Sequence, residues 1–470
     1  MSWPWAPAAW GWPPTPSPSC PASCPRVDEV ARAKSDPAGG VQLADIQEAR
    51  RRIAGVARRT PVLSSPSLDA ALGCTVLLKA ENLQRTGSFK VRGAVNKIAC
   101  LLAKERRRGV VAASAGNHAQ GVALAAQAAG CRAVIVMPRH ASLAKVTATR
   151  GYGAEVLLHG ESFDEAQARA LELSQAEGLI FIPAFDDAAI VAGQGTIGLE
   201  IMEDVPQADA VLVPAGGGGL IAGVAVALKE SGCRAEVIGV QAAAAPALSQ
   251  SLAAGRLKPV KAHSTVADGI AVGHPGQLPF QLVRRHVDRI LTVDDEVITQ
   301  AMVLLLERAK LLVEGAGAVG IAALLGGLRE YRGRRVVAVL SGGNIDSNLI
   351  ARVLEHGLAH AGRYLVLRVV VQDQPGRLAR LLEGIAQADV NVLEVAHRRA
   401  ATHLPIGVVE VEVVVETRDA AHGEEVCAHL ERQGYSQGAP GPGPFGVPVR
   451  YFTSKEAEWR QQLTAPAPAP

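Results

Sequence analysis

The chain has 470 residues, 48% of them hydrophobic, and its 48 Lys and Arg stand against 45 Asp and Glu for a net charge of +3. That length and apolar content exceed one typical domain, and so slight a positive balance excludes nucleic-acid binding driven by charge. No apolar run reaches the roughly 18 residues of a membrane-spanning helix, and the seven cysteines show no close metal-ligand pairing, so the chain reads as a cytoplasmic protein with reduced thiols.

Residues 1 to 40 hold Trp3, Trp5, Trp10 and Trp12 among many prolines. Proline forbids a helix of any length there, and no basic segment followed by an uninterrupted apolar run marks a secretory signal. The segment reads as a disordered extension. From Val41 to about Ala361 strand and helix patterns alternate, which predicts a doubly wound α/β fold with a core of Ala, Val, Leu and Ile. The apolar, β-rich run Cys74–Glu81 predicts a strand, and Val91–Lys104 has helical periodicity. Between them stands Lys90, at the mouth of the helix after Gly87, Ser88 and Phe89. The positive end of the helix favours its neutral, nucleophilic amine, so Lys90 is a candidate Schiff-base former. Taken alone, it reads first as an ordinary surface lysine in a first turn, since lysines are mostly exposed.

A second strand over Gly109–Ala113 leads into Ser114-Ala115-Gly116-Asn117-His118 and a helix over Gly121–Ala129; Arg106-Arg107-Arg108 ahead of it reads as a solvated helix end. Backbone N–H groups and an amide side chain converging in such a turn suit a carboxylate or a phenolic oxygen, although plain βα turns use the same residues. Strands are predicted over Ala133–Met137, Glu155–Leu158 and Leu179–Pro183, with a helix over Phe163–Ala176. The run Val211–Pro214 is a strand followed by Gly216, Gly217, Gly218 and Gly219, then Leu220 opens a helix to Lys229. Four glycines in a row add little packing and cost entropy, and their natural use is a cradle of N–H groups for phosphate. No Gly-Lys-Ser/Thr follows and the dinucleotide spacing is missing, so one small phosphate group fits better than a nucleotide. Further on come a strand over Val237–Val240, a helix over Val297–Leu312, and a strand over Val336–Leu340 that ends in Ser341-Gly342-Gly343-Asn344. The Ser341 hydroxyl is then placed to meet a ligand heteroatom at the carboxyl end of the sheet.

After Gly362 the pattern changes to a strand (Tyr364–Val371), a helix to about Ala388, strands over Asn391–Ala400 and Ile406–Glu416, a helix over Ala420–Gln433, and room for a strand near Val447–Phe452. That order predicts a small α+β, ferredoxin-like domain over 362–453, followed by a low-complexity tail over 454–470.

Lys90 within Thr-Gly-Ser-Phe-Lys-Val-Arg-Gly, the Ser-Ala-Gly-Asn-His turn, the tetraglycine and Ser-Gly-Gly-Asn occur in one order and spacing. In this the chain resembles the fold type II (tryptophan synthase β-like) pyridoxal-phosphate enzymes, and among them the threonine dehydratases, over about residues 41 to 435. The resemblance implies a two-lobed α/β catalytic domain over 41–361. A small lobe over about 109–184 would move against the larger one, with pyridoxal 5'-phosphate in the cleft between them. Lys90 would hold the cofactor covalently, Phe89 would pack on its ring, and Asn117 would bond its ring oxygen. The backbone of Gly216, Gly217, Gly218, Gly219 and Leu220 would hold its phosphate, and Ser341 would face its pyridine nitrogen. Ser114, Gly116 and His118 would help to receive the substrate carboxylate.

The implied reaction removes the α-proton of L-threonine with Lys90 and expels the β-hydroxyl, giving 2-oxobutanoate and ammonia, with L-serine as secondary substrate. An L-serine dehydratase or serine racemase is the enzymatic alternative, and a non-catalytic amino-acid sensor the alternative of another class. Val91 stands where threonine and cysteine synthases place Asp, and Ala115 where serine racemases place a second serine. Gln241 stands where metal-binding relatives place an acid, so no divalent metal is expected there. The stretch Asp373-Gln-Pro-Gly376-Arg-Leu378 resembles the entry of an ACT domain, which implies isoleucine or valine binding near Gly376 and Asn391. The same relationship implies a homotetramer or homodimer.

Overall fold

The computed structural model describes residues 40–398, 404–438, 441–442 and 448–454. The expected Trp- and Pro-rich extension up to residue 39 and the tail from 455 lie outside the described residues.

Continuous apolar runs become parallel strands buried on both faces. One sheet has six strands, β1 (Val62–Ser64), β2 (Thr75–Lys79), β7 (Ala210–Pro214), β8 (Glu236–Ala242), β9 (Arg289–Val293) and β10 (Arg335–Val339), in the order β1-β2-β10-β7-β8-β9. All its pairings are parallel except β1 on β2. A second, wholly parallel sheet of order β5-β4-β3-β6 holds β3 (Val110–Ala113), β4 (Ala133–Met137), β5 (Glu155–Leu158) and β6 (Ile180–Phe181). Its strands all fall inside 109–184. At the rim, the Ser142 hydroxyl donates to Asp346 Oδ2 at 3.0 Å, tying a loop beyond β4 to one beyond β10.

The helix Lys90–Ala99 packs against the helices Asn117–Ala128 and Ala188–Asp204, and small residues let it sit there. A Cβ on Gly193 would come 2.6 Å from the Gly93 Cα, and one on Gly121 would come 3.1 Å from the Lys90 carbonyl carbon. Buried charge then fixes its rotation. Arg92 is fully buried and donates to Glu81 at 2.8 and 2.9 Å and to Glu200 at 2.6 and 3.0 Å. Lys79 meets Glu200 at 2.7 Å and the Thr60 carbonyl at 2.7 Å. Burial by itself would raise the Glu81 carboxyl, but Arg92, Thr60 and Lys79 together hold it below the usual carboxylate range. Breaking such a buried set by removing one partner is costly, since a charge is left without compensation.

Three expected element boundaries differ. The predicted helix Val91–Lys104 is two helices, Lys90–Ala99 and Ala103–Arg108, because Leu102 is extended (ψ 155°) and Glu105 takes its N–H to start the second. The helix expected from Gly121 begins at Asn117, with Gly116 as its N-cap, which moves Asn117 and His118 into its first turn. The helix expected over Val297–Leu312 runs over Asp295–Leu304, continues as a π-helical turn to Ala309, and ends where Lys310 adopts φ +58°. Leu311 and Leu312 are therefore not helical.

Beyond the helix Ser347–His360 a third sheet forms. Its strands are β11 (Tyr364–Gln372), β12 (Asn391–Arg398), β13 (Val408–Glu416), β14 (Tyr435–Gln437), β15 (Gly441–Pro442) and β16 (Pro448–Ser454). The order is β12-β13-β11-β16-β14, with β15 paired to β16. β11 pairs antiparallel with β13 and parallel with β16. Helices Arg377–Ala386 and Ala420–Arg432 complete the expected βαββαβ order, to which the two short strands β14 and β15 are additions. Gly376 caps the first of these helices at φ +83°, a conformation that explains glycine there.

Candidate active site

Lys90 is the first residue of its helix, and Phe89 is its N-cap. The Phe89 N–H donates to the Ser341 carbonyl at 3.1 Å, and Ser88 pairs with Gly342 in an isolated bridge. These contacts bind the loop after β10 directly beneath the lysine. Its ammonium donates to the Ala184 carbonyl at 3.1 Å and lies 5.4 Å from the Phe89 ring centroid. Burial pulls the Lys90 ammonium down to about 8, against a partial counter-pull from Glu314. The sequence placed this amine at a helix mouth; the packing around it is what brings its neutral form within reach near neutral pH.

Around the lysine stand the turns that the sequence singled out. Ser114 Oγ accepts the Gly116 N–H at 3.1 Å, shaping the turn before the Asn117 helix. Asn117 Nδ2 donates to Glu314 Oε1 at 2.8 Å, and Asn117 Oδ1 accepts from Asn344 Nδ2 at 2.8 Å. The His118 ring is buried and bonded to the Ile182 carbonyl at 2.9 Å. Burial, with the charge of Lys90 adding to it and that bond opposing, holds the imidazole down to about 3, so it is neutral. The ring is thus spent inside the lobe, and what His118 offers an anion is its backbone N–H in the first helical turn.

Gly216, Gly217, Gly218 and Gly219 are all buried. Gly218 caps the helix Gly219–Glu230 at φ +95°. A Cβ on Gly217 would lie 2.5 Å from the Phe185 ring, and one on Gly216 3.0 Å from the Ile270 Cα. The loop is therefore held against two walls by bare backbone, and the N–H groups at the head of the helix have no partner within it. Ser341, next to the carboxyl end of β10, is 2% exposed. Gly376 and Asn391 are exposed and belong to the third sheet's layer, outside this cleft.

The sequence reading missed Glu314. It is 6% exposed, and burial, reinforced by Asp268, pushes its carboxyl up to about 7 against the pull of Asn117, Lys145 and Lys90. A signal was present: Glu314 is an acid heading the helix Gly315–Leu325, which contains no charged residue. Gln241, by contrast, is fully buried, with Nε2 on the Ala245 carbonyl and Oε1 receiving the Ser249 N–H. Among the described residues no group of three His, Cys, Asp or Glu side chains is placed to hold a metal ion.

Residues 53–342, which include Lys90, the Ser114–His118 turn, the glycine loop, Glu314 and Ser341, match the family described as pyridoxal-phosphate dependent enzyme. The chain belongs to that family. Its similarity to an L-threonine ammonia-lyase of Thermotoga maritima is 50% identity over 395 residues, 84% of this chain and 98% of the relative. The L-threonine dehydratase catabolic TdcB of Escherichia coli K12 is 46% identical over 315 residues, 67% of this chain and 96% of that one. A solved structure of the processed form of threonine deaminase isoform 2 from Solanum lycopersicum superposes with a TM-score of 0.65 at 39% identity, covering 67% of this chain and 86% of that one.

The residues of this pyridoxal-phosphate-dependent enzyme fit its family's cofactor. A lysine amine of lowered pKa suits an aldehyde, a buried glycine loop with no room for a Cβ against its walls suits a phosphate through its bare N–H groups, and the buried Ser88 Oγ has no hydrogen-bond partner in the protein. Among the described residues no helix is long and apolar enough to cross a membrane.

Proposed function

We propose that the chain is an L-threonine ammonia-lyase that converts L-threonine to 2-oxobutanoate and ammonia, with L-serine as a secondary substrate. The observation that carries the reading is the Lys90 amine, lowered to about 8 by burial and set among the glycine loop, Asn117 and Ser341. Bound pyridoxal phosphate supplies an electron sink for the bond broken at the substrate α-carbon.

The protein's share is binding, orientation and one proton. The N–H groups of Gly216 to Leu220 and the head of their helix hold the phosphate. Asn117 would donate to the ring oxygen, Phe89 would pack beside the ring, and the Ser341 hydroxyl would face the pyridine nitrogen. A hydroxyl there, unlike a carboxylic acid, would supply no proton to that nitrogen. The turn of Ser114, Gly116 and the His118 N–H receives the substrate carboxylate. Lys90 would hold the cofactor in the resting enzyme, and its neutral amine would serve as the base that takes the substrate α-proton. Ala115 offers no proton from the other face, so one-sided chemistry ends in elimination.

Release of 2-oxo acid from L-threonine and L-serine tests the reading. We expect faster release from threonine, no release by Lys90→Ala, and loss of that variant's visible cofactor band. Equal rates on both substrates would remove the threonine preference, and D-serine formed from L-serine would favour the racemase.

We also infer a division into a catalytic domain over 41–361, with its small lobe at about 109–184, and an ACT-like regulatory domain over 362–453. Isoleucine or valine would bind near Gly376 and Asn391 in a cytoplasmic homotetramer or homodimer. The βαββαβ order of the third sheet and the exposure of both residues support this. A threonine-saturation curve unmoved by either amino acid would reduce that domain to assembly alone.

A further inference from the structure

The cleft contains a chain of amide and carboxylate groups with a fixed sense. Asn344 Nδ2 donates to the Thr86 carbonyl at 2.6 Å and to Asn117 Oδ1 at 2.8 Å. Both of its hydrogens are spent, and a backbone carbonyl, which can only accept, decides which way that amide faces. The Asn117 oxygen is therefore occupied, and its Nδ2 must point the other way. There it meets Glu314 Oε1 at 2.8 Å. One Nδ2 hydrogen goes to the carboxylate and one is left.

The surroundings are cut to admit this carboxylate. A Cβ on Gly342 would lie 2.3 Å from Glu314 Oε1. The Glu314 N–H donates to the Gly342 carbonyl at 3.0 Å, so acid and serine-glycine loop hold each other. No cation forms an ion pair with Glu314 among the described residues: Lys145, whose charge also acts on it, pairs with Asp268 at 3.5 Å. A buried acid without an ion-pair partner is expensive, and a fold that retains one in an active-site cleft gives it work there.

We propose that Glu314 is a positioning residue for the reaction. Together with Asn344 it clamps the Asn117 amide, so that the remaining Nδ2 hydrogen is held toward an acceptor oxygen of the ligand bound at Lys90. This rests on the reading that Lys90 and Asn117 hold pyridoxal phosphate. Without the clamp, the amide has two rotational states and only one of them presents a donor. Gln in place of Glu314 keeps an oxygen for Asn117 to donate to, whereas Ala does not.

The test is the affinity of apo-enzyme for pyridoxal phosphate, read from bound-cofactor absorbance. The variants are Glu314→Ala, Glu314→Gln, Asn117→Ala and the double Asn117→Ala/Glu314→Ala. Loss of one oriented hydrogen bond corresponds to about tenfold. We expect about tenfold weaker binding in Glu314→Ala and in Asn117→Ala, near wild-type binding in Glu314→Gln, and a double variant no weaker than Asn117→Ala alone. Asn344→Ala, paired with Asn117→Ala in the same way, serves if Glu314→Ala does not fold, with the same non-additive result expected. Additive losses, or wild-type affinity in Glu314→Ala, would overturn the proposal while wild-type cofactor binding and threonine turnover stand. A wild-type chain that binds no cofactor would overturn both.

Discussion

Glu81 and Glu314 are both buried carboxylates near the helix that begins at Lys90, and their surroundings drive them in opposite directions. Glu81 lies against the Arg92 guanidinium, with Lys79 and Thr60 beside it, and ionises more readily than a carboxylate in water. Glu314 has an amide donor and an acidic neighbour in Asp268, and its proton is held up to about 7. The first arrangement is satisfied without any ligand and fixes the rotation of the Lys90 helix. The second is left short of positive charge on the side of the cleft where Lys90 and Asn117 face. Full pairing marks the scaffold, and incomplete pairing marks the place where something else must bind.

The largest expected effect comes from breaking the paired side. Arg92→Met should leave Glu81 buried without its ion-pair partner and Glu200 with Lys79 alone, and cost about 3–5 kcal/mol in urea unfolding. A loss within about 1 kcal/mol of wild type, as for an exposed pair, would mean that the network is not what holds the helix. On the other side, Gly342→Ala drives a methyl into the Glu314 carboxylate and should cost about 1–3 kcal/mol by overpacking. Melting of the apo-enzyme checks this. Unchanged stability would show that the carboxylate can move aside freely.

pH sharpens the contrast. The lowered Glu81 pKa contributes stability that is present above its ordinary value of 4.5 and is lost as pH falls through the folded value. Glu81→Gln should therefore destabilise most at neutral pH and converge on wild type in acid. Glu314 has the reverse sign, because its folded pKa is raised. The cost of its charge is absent below 4.5 and complete above about 7. Glu314→Gln should then stabilise the apo-enzyme above pH 7, by up to about 3 kcal/mol, and do nothing at pH 4. The same direction for both variants would end the contrast. The smallest effect is kinetic: with the Lys90 ammonium at about 8, cofactor attachment to apo-enzyme should quicken as pH rises through that value and level off above it. Stopped-flow absorbance measures it, and a flat profile from pH 7 to 9 would place the amine outside that range.

The parts of the site written as local pattern were legible before any coordinates. Lys90 at a helix mouth, four glycines after a buried strand and a serine closing β10 are each visible in one short window, because strand-turn-helix units place their turns at one end of a sheet. Asn117 was legible as a residue type but not as a helical position, since the helix starts four residues earlier than its periodicity suggested. Glu314 was not legible as a site residue: its partner Asn117 is 197 positions away, and only tertiary packing joins them. For His118 the resemblance implied a part in receiving the carboxylate without saying which atom serves, and packing ties its ring to the Ile182 carbonyl. The break at Cys100 was hidden because Leu101 and Leu102 continue the apolar run while Leu102 leaves helical geometry.

The claim on which the rest depends is that Lys90 carries the cofactor. Borohydride reduction of the holoenzyme, followed by peptide mass mapping, fixes the cofactor to whichever lysine bears it. The account predicts a single pyridoxyl-phosphate label on the peptide containing Lys90 and none in Lys90→Ala; a label on any other lysine, or no label in the wild type, would contradict it.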